Sequence, residues 1–519
     1  MSKKRLTALV LVVVLAFSGM IIYGQSNDES LQMLPDQARL YDGMTFEEFS
    51  QTDLFQDTLS LFVNEYGFTL DYATNYLRTV FYIENLSAVF GDDYGMWVFP
   101  DHIGGAYVNS DGVLVLQLTR EAMQTATSLN QFNASLSQHV DLRHIVVQEV
   151  EFSHMELTNM HNFLLDWAMN SDLRVFNALS VRENYNKIMV DLWDYSPEGI
   201  EHFRRTVIDS PMLMFRQARI QLNFGETETF DIMMRIIEDY GLTDVVNDGE
   251  QIRFLRDLLE AELENREIPK QELEEATSTY SPFLSSQLYQ SYSEQLQSSS
   301  YSDIDALNNF SFRSGQAIYR NSNGTGHAGS IGFRVRHIPT GRVGFVTAGH
   351  NFPNGGNVWG AQGQWIGTTN LWQNSGNLDV TFIVTQFGVD VTNTMLNGQT
   401  ISTAWAAPMT GLPVAAQGSA LLANRPQYFG RMGSILSINS TFQRPDGNWI
   451  SGCILTDLYG WPGDSGGPLY WISGSGNVTI GIVLGGFFPG MSHNFTTVGV
   501  DMHYVPASRI MQAFQLQRY

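Results

Sequence analysis

One cysteine, Cys453, serves the whole chain, and beyond residue 310 there is neither lysine nor glutamate. A single thiol excludes an internal disulfide and the cysteine clusters that hold zinc or iron-sulfur groups. Packing alone must hold whatever fold forms. The missing Lys and Glu also divide the chain in two. Residues 311–519 carry 10 Arg and 6 Asp, a net of +4, which leaves 19 basic against 47 acidic residues, a net of -28, in residues 1–310. Glycine splits the same way, with 33 of the 46 beyond residue 310. Gly-rich sequence without Glu or Lys reads as short strands joined by tight turns, whereas the acidic part has a helix-forming composition. At 519 residues and 43% hydrophobic content the chain is long enough for two or three cores.

The N-terminus reads as an export signal. Lys3, Lys4 and Arg5 precede the apolar run Leu6 to Tyr23, and Gly24 or Ser18 supplies a small residue suited to cleavage. The run is also long enough for an uncleaved membrane anchor, so residues 1–24 are a signal peptide or an N-terminal anchor. Residues 25–100 mix acids with aromatics and read as amphipathic helices without evident chemistry. Two apolar stretches, 103–108 and 113–118, flank Ser110-Asp111-Gly112 and predict a β-hairpin. Next comes an apolar stretch over 145–147, then Ser153 and Glu156 as a capping box for a helix that carries Leu157, Met160, Leu164 and Trp167. A strand over 188–192 precedes a helix opened by Ser196 and Pro197, with Ile200, Phe203 and Val207 on one face. The predicted order is strand, helix, strand, helix. His154 and His161 flank Glu156 at a spacing that is not that of a His-Glu-x-x-His zinc helix, so no metal role is expected. Residues 252–276 read as two helices broken at Pro269, and the Ser-, Gln- and Tyr-rich residues 277–302 read as a linker open to proteolysis.

Three residues in the Gly-rich part form a chemical pattern. His350 ends the apolar strand predicted over 343–348, in Thr347-Ala348-Gly349-His350. Asp379 heads the apolar run Asn377-Leu378-Asp379-Val380-Thr381-Phe382-Ile383, where a carboxylate is costly unless paired. Ser465 lies within residues 461–470, Trp-Pro-Gly-Asp-Ser-Gly-Gly-Pro-Leu-Tyr, where Gly463 and Gly466 let the backbone turn sharply and present the hydroxyl. Each alone has an ordinary explanation as a loop histidine, a strand-edge aspartate and a polar turn. Their order within one region does not.

These three segments resemble the signatures of the chymotrypsin-like serine proteases. Ser330-Ile331-Gly332-Phe333, the string around Ser465 and residues 481–486 are most similar to the bacterial streptogrisin and α-lytic protease branch. The likeness covers residues 311–519; a looser one, of hydrophobic pattern, relates residues 101–220 to the pro-regions of that branch. The resemblance implies a multidomain fold, an α+β pro-region followed by an all-β protease domain of two six-stranded barrels, with a terminal helix over 507–515 on the second barrel. It implies His350 as general base and then acid, Asp379 as its orienting carboxylate and Ser465 as nucleophile, with the N–H groups of Gly463 and Ser465 as oxyanion hole. Tyr459, Leu484, Gly485 and Gly486 are implied to bind substrate, and Asp464 to be buried with Arg431 or Arg425 as its partner. Departures from the pattern are Asn351 and the region of Tyr459, where the family often has cysteine, and Leu484, where it usually has serine. Tyr459, six residues before Ser465, is no acid, which disfavours a Lys or Arg preference and favours apolar side chains. His493 and His503 would instead suit a substrate carboxylate.

The expected organisation is a helical segment over 25–100, an α/β pro-region over 101–276, a linker and processing region over 277–310 and the protease domain over 311–519. The expected function is that of an exported serine endopeptidase, secreted or membrane-anchored through Leu6 to Tyr23. It works through an acyl-enzyme and is made as a precursor whose pro-region inhibits it and assists its folding. Self-cleavage is expected near residues 298–314. Peptide and protein substrates and its own pro-region are the expected partners of a monomer without cofactor, metal or nucleic acid. The competing reading is a non-catalytic binding protein on a trypsin-like scaffold. An esterase is disfavoured, because His-Asp-Ser is not the α/β-hydrolase order.

Overall fold

The computed structural model describes residues 44–519 except 65, 91–96, 126–135, 138, 172, 219, 223–309, 322–326, 420–429, 431, 445–446, 462, 474–475 and 489–500. The signal segment, the helices over 252–276, the linker over 277–302, Arg425, Arg431 and His493 lie outside these residues. Helices α1 (Phe46–Ser50), α2 (Asp53–Asn64) and α3 (Leu70–Phe90) open the described chain. Thr45 caps α1 reciprocally, its hydroxyl accepting from the Glu48 N–H while the Glu48 carboxylate takes the Thr45 N–H. Among the described residues no helix is long and apolar enough to cross a membrane.

Strands β1 (Ile103–Val108) and β2 (Leu114–Thr119) form the expected hairpin, with Gly112 at a φ of 76° in its turn. After α4 (Arg120–Gln124), β3 (Val146–Val150) adds to β2 in parallel and completes a three-stranded sheet. Helix α5 (His154–Asn170) starts at Ser153 with the predicted capping box to Glu156. Then come β4 (Phe176–Arg182), β5 (Lys187–Leu192), α6 (Pro197–Thr206), capped by Ser196, β6 (Leu213–Gln217) and β7 (Ile220–Leu222). Strands β4, β6 and β7 correct the strand-helix-strand-helix order. All seven residues of β4 are buried, so Asn177, Ser180 and Arg182 interrupt its apolar pattern without facing water. A strand covered on both faces has no polar-apolar alternation to read.

Among the described residues, the elements of the Gly-rich part are strands and one helix near its end. It runs β8 (Phe310–Ser314), β9 (Ala317–Tyr319), β10 (His327–Ser330), β11 (Arg334–His337), β12 (Val343–Thr347), β13 (Asn357–Trp359), β14 (Trp365–Ser375), β15 (Leu378–Thr385) and β16 (Val389–Met395). It continues with β17 (Ile401–Trp405), β18 (Pro413–Ala416), β19 (Met432–Gln443), β20 (Trp449–Thr456), β21 (Pro468–Ser473), β22 (Gly476–Phe488), β23 (Asp501–Pro506), α7 (Ala507–Ala513) and β24 (Leu516–Arg518). The first unit is a sheet in the order β10-β9-β13-β14-β15-β12-β11-β24. In the second unit β18 pairs with both β19 and β21, which closes β18, β21, β22, β23, β20 and β19 into a ring of six strands. Closure removes the exposed edges that an open sheet of short strands would present. Helix α7 sits in a core shared by the two units, with Val335 and Phe382 from the first and Ile482 and Val505 from the second. The expected terminal helix thus packs between the units as well as on the second.

The N-terminal part is built onto the second barrel. Strand β4 pairs antiparallel with β19 through Ala178, Leu179 and Ser180, so β4, β5 and β6 prolong the barrel sheet. Strand β7 pairs antiparallel with the far end of β22. Helix α3 reaches the same barrel from another side, where Tyr76 meets Trp471.

Candidate active site

Strand β12 delivers the chain to Ala348, Gly349 and His350. A Cβ on Gly349 would run into the Gln373 carbonyl and the Val380 N–H, so glycine is what lets this turn lie against β14 and β15. Strand β15 places Asp379 beside it, 1% exposed, between buried Leu378 and Val380. The Asp379 carboxylate accepts two bonds from one residue, at 2.7 Å from the His350 backbone N–H and 2.6 Å from its Nδ1. An ionised carboxylate only accepts, so Nδ1 carries the proton and Nε2 of the neutral ring is left as an acceptor. Nε2 lies 3.2 Å from Ser465 Oγ. The three residues singled out in the sequence thus form one chain of hydrogen bonds from a buried carboxylate to a buried hydroxyl.

Two glycines shape the turns that hold the serine. Gly463 and Gly466 have φ of 102° and 89°, in the region that side chains avoid. A Cβ on Gly466 would strike Thr347 Oγ1 and the Ser330 carbonyl, which ties this loop to the strand that carries His350. Ser330 Oγ donates to the Gly463 carbonyl at 2.9 Å, fixing the loop from the first unit. Asp464 is buried and its carboxylate takes the Trp461 N–H at 2.8 Å.

Some participants had no signal in the sequence. Arg444 is buried 3.8 Å from Asp379 and donates to Asn374 on β14. Burial works to raise the Asp379 pKa, but the charge and hydrogen bond of His350, with Arg444 behind, hold the carboxyl below its ordinary value. Arg320 donates to the His350 carbonyl at 3.2 Å, and the Trp372 indole donates to Gly349 O at 2.7 Å. These arginines come from separate strands and turns, and nothing in their local sequence points to the histidine.

Of the residues expected to bind substrate, Tyr459 follows β20 and Leu484, Gly485 and Gly486 lie on β22. Tyr459 is partly buried against the barrel core, and Leu484 buries its side chain in the core shared with α7, leaving only backbone to offer. Gly485 pairs with His503 and Gly486 with Met502 on β23; Gly486 also pairs with Leu222 of β7. The edge of β22 is therefore occupied by the chain's own N-terminal part. His503 is fully buried, with Nε2 3.1 Å from Ser440 Oγ and its ring against Phe442.

Two further clusters join the N-terminal part to the barrel. Arg216 makes a forked pair with Asp191, at 2.6 and 2.9 Å, and reaches Asp501 of β23 at 3.0 Å. Arg182 lies 3.9 Å from the same Asp501 oxygen. Glu183 accepts from the Thr410 hydroxyl at 2.7 Å, and burial pushes its pKa up to about 7. His154 stands 4.0 Å from Glu183, and burial holds its pKa down to about 4, as it does for His161.

A family model described as the Pro-like C-terminal domain matches residues 155–218, the stretch from α5 to the end of β6. That match is narrower than the pro-region likeness read over 101–220. Among solved structures, a chymotrypsin from Cellulomonas bogoriensis is 29% identical, with 40% of this chain and 99% of that one covered at a TM-score of 0.32. Protease A of Thermobifida fusca is 26% identical over 40% of this chain and 97% of that one, at 0.32. A glutamic acid specific serine protease, described as using a histidine triad in substrate binding, is 26% identical over 40% and 100%, also at 0.32. The chain thus has a stretch matched by the Pro-like C-terminal domain model and, over 40% of its length, a likeness to the chymotrypsin-like serine proteases.

Proposed function

We propose that the chain is the precursor of an exported serine endopeptidase. The observation that carries this reading is the placement of His350 between Asp379 and Ser465. Ser465 Oγ attacks the scissile carbonyl as His350 Nε2 takes its proton, and Asp379 stabilises the imidazolium that forms. The N–H groups of Gly463 and Ser465 stabilise the oxyanion, a contribution worth about 3–4 kcal/mol per donor in enzymes of this chemistry. His350 then protonates the departing amine, leaving an acyl group on Ser465. Water, deprotonated by the same imidazole, releases the acid and restores the serine.

The Pro-like domain and its trailing strand act as the inhibitor. Strand β7 adds to β22 at Gly486 to Phe488, and an extended peptide substrate would use that edge in the same way. The chain divides functionally into an export segment over 1–24, a helical segment over 25–100, a pro-region over 101–276, a linker over 277–310 and the enzyme over 311–519. Apolar side chains are the proposed preference, on the strength of Tyr459. His503 is committed to Ser440, which argues against its use on a substrate carboxylate as in a glutamate-specific relative. A serine-directed fluorophosphonate should label the processed protein at Ser465, and Ser465→Ala should abolish it. Labelling that survives Ser465→Ala, or no labelling of a processed and folded chain, would remove the proposal in favour of a binding protein on this scaffold.

A further inference from the structure

Asp379 is an ionised group in the interior, and both hydrogen bonds that its carboxylate accepts come from His350. A positive charge is brought against it from the other unit. Strands β19 and β20 of the second barrel form a hairpin, and in its turn the Arg444 N–H donates to the Asn448 carbonyl at 2.8 Å and the Gly447 N–H to the Arg444 carbonyl at 2.9 Å. The hairpin is pinned to the first unit, where the Ser451 N–H donates at 2.9 Å to the carbonyl of Gly376, in the turn between β14 and β15. Arg444 is buried, and its guanidinium donates to Asn374, the residue of β14 that pairs with Asp379. Nη1 is thereby held 3.8 Å from Asp379 Oδ2, the same oxygen that accepts from His350 Nδ1.

A guanidinium is costly to bury unless it meets a negative charge, and Asp379 supplies one. The exchange acts on the histidine as well. A carboxylate favours the charged form of the imidazole beside it. A cation on the same carboxylate offsets part of that attraction, and salt screens little of a buried offset.

We propose that Arg444 is a positioning residue for Asp379, whose charge offsets that of the carboxylate and lets His350 remain a base at more acidic pH. This rests on the reading of His350, Asp379 and Ser465 as a catalytic site. The other ionisable groups around the pair are engaged elsewhere or neutral. Arg320 donates to the His350 and Asn351 carbonyls, and Arg509 of α7 to those of Ser451 and Gly452. Asp464, on the loop of Ser465, takes the Trp461 N–H. Burial pushes the thiol of Cys453 on β20 up to about 12, so it carries no charge near neutral pH.

Two readouts test it. On the full chain carrying Ser465→Ala, proton NMR follows the His350 Nδ1–H, which its 2.6 Å bond to a carboxylate moves far downfield and which His350→Gln identifies by its loss. This titration is separate from whether the protein is a peptidase. On the processed protein with Ser465 intact, the rate of fluorophosphonate labelling is measured against pH. Arg444→Met should move the midpoint of the titration and the acid limb of the labelling profile to higher pH by about one unit. Arg444→Lys keeps the charge and should leave both where they are. A titration and a profile that do not move in Arg444→Met, or that move equally in Arg444→Lys, would overturn the proposal. Should Arg444→Met not fold, Arg444→Gln, which keeps a donor for Asn374, takes its place. Labelling absent from every variant, with the titration moved as expected, would support the role of Arg444 while removing the peptidase reading.

Discussion

At the scale of single residues, the arrangement around His350 depends on groups that the histidine cannot orient by itself. Asp379 fixes which ring nitrogen carries the proton through two short bonds to one residue. Asp379→Asn would keep the shape and lose that preference, so turnover of a peptide substrate should fall by about 10³- to 10⁴-fold. A loss under tenfold would show that Asp379 does not set the tautomer. His350, Asp379 and Ser465 were legible because each sits in a short segment whose oddity is local: a histidine at a strand end, a carboxylate in an apolar run, a serine between glycines. Arg444 was not. It lies 65 positions from Asp379 in the chain and touches it only because β15 and the end of β19 are brought together.

Elements that obey local rules were equally plain. The Ser153 and Ser196 caps and the turn at Gly112 appear where cap and turn chemistry put them. Strand β4 escaped because it is buried throughout, and its partner β19 lies some 260 residues further on. A net of -28 against +4 is a long-range attraction of an acidic part for a basic one, yet the part-buried bridge between them runs the other way, with Arg216 and Arg182 of the acidic part meeting Asp501 of the basic part. Net charge describes long-range attraction, while a buried pair depends on which side chains the pairing of strands brings face to face. Asp501→Asn removes the charge that both guanidiniums share. Amide hydrogen exchange in β6 should quicken by about tenfold or more in that variant while fluorophosphonate labelling of the processed protein is unchanged. Unaltered protection of β6 would mean that strand pairing alone holds it.

For the whole molecule, the junction at Glu183 links the hairpin unit, the Pro-like domain and the barrel, and it makes stability depend on pH. The Glu183 pKa is raised from 4.5 to about 7, so its contribution is full below about 4.5 and is lost as pH rises to about 7. His154 and His161 are lowered from 6.5 to about 4, so theirs is full above 6.5 and is lost as pH falls toward 4. The two effects oppose each other between these limits. Glu183→Gln keeps an acceptor for Thr410 and removes the carboxyl, which should raise the stability at pH ~8 relative to pH ~5 by up to about 3 kcal/mol in chemical denaturation. An unchanged difference between the two pH values would show that the carboxyl does not titrate in this range. What the sequence by itself determined is the division into an acidic, mixed part and a Gly-rich β part, the capped helices, and the three residues of the candidate site in their order. All of these rest on composition or on neighbours within a few positions. Only the tertiary structure decided that the N-terminal part would lengthen the barrel sheet, that β7 would lie on β22, and that Tyr76 would meet Trp471 across 395 positions. Contacts so distant are selected by which edges and apolar faces remain uncovered after the local elements have formed, and no short stretch of chain carries that information.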